Sequence, residues 1–175
     1  LFNPKRLTRW TIPYVDATGG GLVVTVASPV YMEAGFDGVA AADIQLSRVA
    51  EQITSIKIGQ TGYAFMIDDA GRIITMPPAG YDLFGINPDE LKPDEFFKQT
   101  VLGEGSDELR AITTRMTAGG SGLHIIQVDG IDTYLVYSPV KSNGYSIALV
   151  VPVAEMQGAI ASARTETQSQ IRTSA

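Results

Sequence analysis

Residues 123-LHIIQVDGIDTYLVYSPVKSNGYSIALVV-151 carry the strongest signal for the fold of this chain. Its β-branched and aromatic residues fall into three runs, which Asp129-Gly130 and Asn143-Gly144 separate. Both dipeptides favour the positive φ angles of tight hairpin turns, while β-branched and aromatic side chains favour strands. The stretch therefore predicts three consecutive antiparallel strands, over residues 123–128, 133–140 and 145–151.

A second hairpin precedes this stretch. Apolar runs at residues 62–67 and 72–76 surround the turn signal Asp68-Asp-Ala-Gly71. Two short apolar runs joined by a glycine-containing turn are typical of paired antiparallel strands. Five antiparallel strands are therefore predicted, and we expect them to form the sheet of an α+β domain.

Helices are predicted on either side of the second hairpin. Apolar residues recur at helical spacing from Leu46 onward, and Gly59 ends that helix. Ser106 is a capping residue at the start of another helix. We expect residues 79–105 to be irregular, apart from a short helix that begins at Asn87-Pro88.

Three further strands are predicted at the start of the chain, over residues 7–15, 22–30 and 38–44. Turns at residues 16–21 and 32–37 connect them, so these strands are expected to belong to a second antiparallel sheet.

Composition excludes several classes of function. The 175 residues carry a net charge of −6, and an acidic chain without basic runs repels nucleic acid. Cysteine is absent and His124 is the single histidine, which excludes disulfides, thiolate catalysis and clusters of cysteine or histidine ligands. Because the sequence shows no nucleophile–base pair and no phosphate-binding loop, we expect no catalytic residues, no metal and no cofactor. No apolar run reaches the roughly 20 residues that span a bilayer.

Two acids and two aromatic residues form a candidate ligand site. Trp10 and Tyr14 lie on a predicted strand, Asp16 follows that strand, and Asp43 lies at the end of another. Carboxylates hold an ammonium group and aromatic faces cover it, so the four residues predict a pocket for a cationic group. In the plainer interpretation Asp16 initiates a turn, Asp43 caps the following helix, and the aromatic rings pack in a core. General acid–base catalysis by the two acids is a third interpretation.

Four aromatic residues on later predicted strands are candidates for a second pocket. They are Tyr63, Phe65, Tyr134 and Tyr137. The alternative is that they form the packed face of the five-stranded sheet.

Six segments occur along the chain in a characteristic order. They are Trp10…Pro13-Tyr14-Val-Asp16, Val24-Thr-Val-Ala-Ser-Pro29-Val, Gly38-Val39…Asp43-Ile44, Gly59-Gln-Thr-Gly-Tyr63-Ala-Phe65, Tyr134-Leu-Val-Tyr-Ser-Pro139-Val and Gly144-Tyr-Ser-Ile…Val151-Pro152…Glu155. This ordered set resembles the double Cache family, which comprises PAS-like extracytoplasmic sensor domains of bacterial transmembrane receptors. The resemblance covers nearly the whole chain.

The resemblance implies a division of the chain into three parts. Residues 1–45 are expected to be the last strands of a membrane-distal module, whose long helix and first strands precede this point in the family. Residues 46–152 are expected to be the membrane-proximal module, and residues 153–175 a stalk helix that runs towards the membrane.

The resemblance also implies a sensory role rather than an enzymatic one. The receptor would lie in the inner or cell membrane of a bacterium, and its output would be a histidine kinase, a chemoreceptor, a serine phosphatase or a cyclic-dinucleotide enzyme. This chain would be its periplasmic or extracellular part. A homodimeric receptor and membrane anchors outside this chain are expected as well.

Some family members bind amino acids through a Tyr-x-Asp motif and a later Asp, which Tyr14-Val-Asp16 and Asp43 match. The implied ligand is therefore an amino acid, an amine or another small metabolite. The alternative is a ligand-free spacer or dimerisation module of such a receptor.

Overall fold

The computed structural model describes residues 3, 5–19, 21–33, 35–90 and 98–158, which form two antiparallel sheets and several short helices. Strands β1 to β4 of the first sheet are Arg9–Trp10, Tyr14–Val15, Leu22–Met32 and Gly35–Gln45. Strands β5 to β9 of the second sheet are Tyr63–Ile67, Ile73–Thr75, Gly122–Val128, Ile131–Pro139 and Ser146–Pro152. Helices α1 to α3 are Leu46–Thr54, Pro78–Phe84 and Asp107–Thr117. The predicted α+β fold with a five-stranded antiparallel sheet is confirmed.

Strand β3 is the centre of the first sheet. Strand β4 pairs along one edge of β3, while β1 and β2 pair one after the other along the opposite edge. The single strand predicted over residues 7–15 is wrong, because this edge is interrupted between β1 and β2. Pro13 has no N–H to donate to a strand ladder. At the interruption the Thr11 N–H donates to Thr25 O at 3.0 Å, and Thr11 Oγ1 accepts from the Thr25 N–H at 2.9 Å.

Helix α1 packs against both sheets. Strand β4 leads directly into this helix, because Gln45 is still extended at φ −69° and ψ 121°. The apolar face of α1 joins side chains from both sheets in what we call the inter-sheet cluster. This cluster comprises Leu46, Val49 and Ile53 of α1, Trp10, Leu22, Val24 and Ile44 of the first sheet, and Met66, Ile74, Val140, Tyr145 and Ile147 on the side of the second sheet.

The main core lies on the other face of the second sheet, beneath α2 and α3. Its strands follow the order β6-β5-β9-β8-β7. Alternation along β5 turns Phe65 and Ile67 into this core and Met66 into the inter-sheet cluster. Phe65 meets Phe84 of α2 edge to face, with ring centres 5.6 Å apart. Burial of each large apolar side chain contributes about 1.5–3 kcal/mol.

The turns of the second sheet follow the sequence-based prediction. Asp129 and Gly130 adopt φ angles of 51° and 78°, as a tight hairpin turn between β7 and β8 requires. In the β5–β6 turn, Asp68 is 1% exposed. Its Oδ1 accepts from the N–H groups of Ala70 and Arg72 at 2.9 and 2.8 Å, and its Oδ2 accepts from Arg72 Nε at 2.5 Å. The buried charge is therefore paired and hydrogen-bonded, which confirms Asp68 as a turn residue.

The segment after β6 is more regular than predicted. Residues 79–84 were expected to be irregular, but they belong to α2. Pro78 lies in the first turn, where a missing N–H costs nothing, and Gly85 ends the helix at φ 66°. The short helix predicted at Asn87-Pro88 is present as a 3-10 helix, Pro88–Glu90. The capping role of Ser106 is confirmed, since its side chain accepts from the Leu109 N–H at 3.2 Å.

Strand β9 continues directly into a helix at residues 153–158. The remainder of the predicted stalk helix, residues 159–175, lies outside the described residues. Among the helices that the structure describes, none has the length and apolar character needed to cross a bilayer.

Candidate ligand-binding site

Tyr14, Thr25 and Asp43 meet on one face of the first sheet. The register places Thr25 opposite Asp43, and Tyr14 opposite Val23 on the same face. Tyr14 Oη and Thr25 Oγ1 lie 2.6 Å apart. Thr25 Oγ1 donates to Asp43 Oδ1 at 2.6 Å, and Tyr14 Oη donates to the same oxygen at 3.3 Å. The three side chains thus form a triangle of polar groups around one carboxylate oxygen, which we call the Asp43 triad.

The Asp43 triad holds an exposed carboxylate in one orientation. Within the described part of the chain, the hydrogen bonds to this carboxylate reach Oδ1 and leave Oδ2 without a partner. A carboxylate oxygen that faces solvent in a fixed direction can accept hydrogen bonds from an ammonium group. The geometry of Tyr14 and Asp43 therefore suits the cationic group that the sequence predicted.

Asp16 lies in the turn that follows β2. Its Oδ1 accepts from the Thr18 N–H at 3.0 Å, and its Oδ2 accepts from Thr18 Oγ1 at 2.6 Å. The Asp16 N–H donates to Gly21 O at 2.8 Å across the same turn. These bonds agree with the interpretation of Asp16 as a turn-initiating residue. A contribution of Asp16 to ligand binding stays a prediction.

Trp10 and Tyr14 lie on opposite faces of the first sheet. Strand β1 pairs Trp10 with Val26, whereas β2 pairs Tyr14 with Val23, so the register shifts by one residue at the interruption. A shift of one residue moves a side chain to the other face. The half-buried Trp10 packs against the inter-sheet cluster, so it does not stand beside Tyr14 as the sequence-based grouping assumed.

An open, mostly apolar cavity of about 800 Å³ lies over the first sheet. Its lining comprises Asn3, Arg9, Trp10, Thr11, Ala27, Pro29, Tyr31, Phe36 and Val39. Ala27 and Pro29 alternate along β3 with the same phase as Thr25, so the cavity and the Asp43 triad share a face. Tyr31 and Phe36 meet edge to face with ring centres 5.7 Å apart.

Thr25 and, apart from Trp10, the residues that line this cavity were not predicted from the sequence as site residues. Thr25 carries no motif of its own, and its position opposite Asp43 follows from the register of the β3–β4 hairpin. That register could be predicted only from the exact positions of the turn and of the bulge, because the pairing shifts between Val30 and Tyr31.

The candidates for a second pocket separate into two groups. Phe65 and Tyr137 are buried in the main core, at 0% and 3% exposure, which favours the packed-face interpretation for these two residues. Tyr134 pairs with Ile125 and Val151 and points to the opposite face of the sheet. A ligand role for Phe65, Tyr134 and Tyr137 stays a prediction.

Tyr63 borders a cavity of about 300 Å³ at the end of the main core. Asp82 and Asp129 are among the other residues that line this cavity. The Tyr63 hydroxyl donates to Ala79 O at 3.1 Å. Burial, and to a smaller extent the carboxylate of Asp82, raises the pKa of Tyr63 well above its usual range, so the phenol is neutral at any physiological pH.

Comparison with known proteins gives a consistent result. The family model described as Cache domain matches residues 3–160. Methyl-accepting chemotaxis protein PctB of Pseudomonas aeruginosa is 30% identical over 134 residues, which cover 77% of this chain and 18% of PctB. Methyl-accepting chemotaxis protein PscA of Pseudomonas syringae pv. tomato is 40% identical over 77 residues, which cover 44% of this chain and 12% of PscA.

A solved structure with the same fold is the extracellular domain assigned to the histidine kinase mmHK1S-Z3. It matches with a TM-score of 0.64 and 26% identity, and the match covers 90% of this chain and 54% of that domain. The chain thus spans about half of the solved extracellular domain and less than a fifth of either chemotaxis protein.

Proposed function

Because the chain belongs to the Cache domain family, we propose that it is the extracytoplasmic sensor of a bacterial membrane receptor that binds a small amine or amino acid. Its relatives include chemotaxis proteins and an extracellular domain assigned to a histidine kinase, so either type of receptor fits. Within this proposal, residues 1–45 belong to the membrane-distal module, 46–152 form the membrane-proximal module, and 153–175 lead towards the membrane. The chain senses and carries no catalytic site of its own.

The Asp43 triad is the observation that carries the ligand proposal. Two hydroxyls hold one oxygen of an exposed carboxylate and thereby orient the other oxygen before a ligand arrives, which lowers the ordering cost of binding. An ammonium group at Oδ2 would complete the hydrogen bonding of Asp43. Tyr14 then serves the site through its hydroxyl rather than through its aromatic face.

Arg9 extends the proposal from amines to amino acids. It borders the cavity over the first sheet and lies opposite Ala27, two residues along β3 from Thr25. A guanidinium group recognises a carboxylate with two parallel hydrogen bonds. An amino acid offers an ammonium group to Asp43 and a carboxylate to Arg9, and Pro29 and Val39 supply apolar surface for its side chain.

Trp10 provides a path from the ligand to the rest of the molecule. The residue borders the cavity and also packs against the inter-sheet cluster, which contains the apolar face of α1. A ligand that binds one arrangement of the first sheet and α1 more tightly than another shifts the population towards the tighter arrangement. The helix at residues 153–158 would pass that shift on to a homodimeric receptor, which is anchored by segments outside this chain.

Thermal unfolding of the receptor ectodomain that contains this chain tests the ligand proposal. The twenty amino acids, γ-aminobutyric acid and short alkylamines would each be added at millimolar concentration. A ligand at about 100 times its Kd stabilises by about 2.7 kcal/mol, which raises the melting temperature of a domain of this size by about 5–10 °C. We expect at least one compound to produce such a shift.

Two variants separate specific binding from a general effect of charge. Asp43→Asn is expected to weaken binding at least about tenfold, since a charge-assisted hydrogen bond contributes about 1.5–3 kcal/mol. Asp37→Asn removes an exposed acid from the same strand and is expected to leave the shift unchanged. If no compound shifts the melting temperature, or if both variants behave alike, the ligand proposal fails and the ligand-free spacer becomes the better interpretation.

A further inference from the structure

Glu155 makes a contact that ties together two distant parts of the chain. The residue lies in the helix at residues 153–158, just after β9. Its Oε2 accepts from the N–H groups of Gln60 and Thr61 at 2.6 and 3.1 Å, and its Oε1 accepts from Thr61 Oγ1 at 2.6 Å. Both carboxylate oxygens are thus held by a turn that lies 94 and 95 positions earlier in the sequence.

The turn is shaped around this carboxylate. Gly59 adopts φ +65°, and a Cβ at that position would lie 2.3 Å from Glu155 Oε2. Gly62 closes the turn by bridging to Ile58, and a Cβ there would lie 2.9 Å from the Cβ of Val151 in β9. A side chain at position 59 would displace the Glu155 carboxylate, and one at position 62 would also meet Ile58 O at 2.2 Å within the turn itself. The two glycines therefore allow the turn to lie close to the start of the C-terminal helix.

The same turn is the continuation of α1. Helix α1 ends at Thr54, and four residues separate its end from Gly59. Because α1 packs in the inter-sheet cluster, a movement of the first sheet relative to the second reaches this turn through a short segment of chain. The contact between Glu155 and the turn consists of hydrogen bonds and lies outside the two apolar clusters, so it joins the turn to the helix without core packing.

We propose that Glu155 is a positioning residue that makes the C-terminal helix follow the turn after α1. Through its carboxylate, the direction in which the helix leaves β9 depends on where α1 lies. Without the contact, the helix remains attached to β9 but loses its fixed relation to α1. This role does not depend on the identity or the existence of a ligand, so its test is separate from the test of the ligand proposal.

Amide hydrogen exchange of the full chain without ligand tests the contact with two variants of Glu155. Glu155→Asp keeps the charge but is shorter by one carbon–carbon bond, about 1.5 Å, and cannot reach the turn. Glu155→Gln keeps the length and one acceptor oxygen. We expect the Gln60 and Thr61 amides to exchange slowest in the natural chain, faster in Glu155→Gln, and at least tenfold faster in Glu155→Asp. Glu51→Asp, a change on the exposed face of α1, is the matched control and should leave these amides unchanged.

A distance measurement then distinguishes positioning from plain stabilisation. Because the chain has no cysteine, Lys57→Cys and Gln157→Cys allow two spin labels to be attached at exposed positions on either side of the contact. We expect a narrow distance distribution with Glu155 and a broad or shifted one with Glu155→Asp, while the amides of the main core exchange as before. An unchanged distribution in Glu155→Asp overturns the proposal. So does an equal acceleration of exchange throughout the chain, which would assign Glu155 to overall stability.

Discussion

Removal of the Tyr145 hydroxyl is expected to stabilise the protein. Tyr145 is 6% exposed and packs in the inter-sheet cluster, and its Oη is buried with no hydrogen-bond partner among the described residues. Burial, helped by Asp68, raises the pKa of Tyr145 to about 12, so the buried group is the neutral phenol. A buried hydroxyl without a partner costs about 1–3 kcal/mol. Tyr145→Phe keeps the packed ring and is expected to raise the free energy of unfolding by that amount.

Calorimetric unfolding of Tyr145→Phe checks the sign and the size of this effect. For a chain of 150–250 residues each kcal/mol shifts the melting temperature by about 2–4 °C, so we expect an increase of at least about 2 °C. Tyr63→Phe is the matched control, because the Tyr63 hydroxyl donates to Ala79 O at 3.1 Å and its loss should lower the melting temperature. A lowered or unchanged melting temperature for Tyr145→Phe would show that the hydroxyl has a partner in solution, and would refute the reasoning.

Three further predictions concern the turns of the molecule. Asp68→Asn is expected to lower the free energy of unfolding by about 3 kcal/mol, because it leaves Arg72 without its buried partner. Asp69→Asn, at an exposed position, should change it by no more than about 0.5 kcal/mol, and equal effects of the two variants in urea unfolding would contradict this prediction. Gly59→Ala should lower the free energy of unfolding more than Gly85→Ala does. Both glycines have φ near +65°, so both variants incur about 1–2 kcal/mol of left-handed strain, but only Gly59 has Glu155 against it. An equal loss of unfolding free energy in the same assay would argue against the close approach of Gly59 to Glu155. Hydrogen bonds from the Thr61 hydroxyl and from the N–H groups of Thr61 and Gln60 hold the pKa of Glu155 below its ordinary value of 4.5. The contact is therefore complete above pH 4.5 and is lost as the pH falls through the lower pKa that Glu155 has in the folded protein. Amide exchange at Gln60 and Thr61 should show this loss in the natural chain and not in Glu155→Gln.

Local signals account for the parts of the fold that could be predicted from the sequence. The β7–β8 turn depends on two residues that accept positive φ, Asp129 and Gly130, and the α3 cap depends on one side chain, Ser106. Helix α2 was not predicted, because Pro77-Pro78 can either end a strand or begin a helix. Nothing within that dipeptide decides between the two roles. The core contact of Phe84 with Phe65, far away in sequence, favours the helix.

The candidate site could be predicted only in part, because faces of a sheet depend on register. Tyr14 and Asp43 were predicted from their residue types and from the resemblance to a Tyr-x-Asp motif with a later Asp. The structure brings the two side chains together on one face, and their ligand role stays a prediction. In an uninterrupted strand Trp10 and Tyr14, four residues apart, would share a face, and the one-residue shift between β1 and β2 separates them. Thr25 was missed for the same kind of reason, since only the pairing of β3 with β4 brings it to Asp43.

A map of ligand contacts on the chain tests the proposed site most directly. Two-dimensional amide spectra would be recorded for the receptor ectodomain while the twenty amino acids, γ-aminobutyric acid and short alkylamines are added in turn. We predict that at least one of these compounds produces saturable shifts that are largest at Thr25 and Asp43 and leave Asp37 unchanged, and that the shifts extend to Arg9 if the compound is an amino acid. Spectra that none of these compounds alters, or shifts confined to the cavity around Tyr63, Asp82 and Asp129, would contradict a ligand site at Asp43.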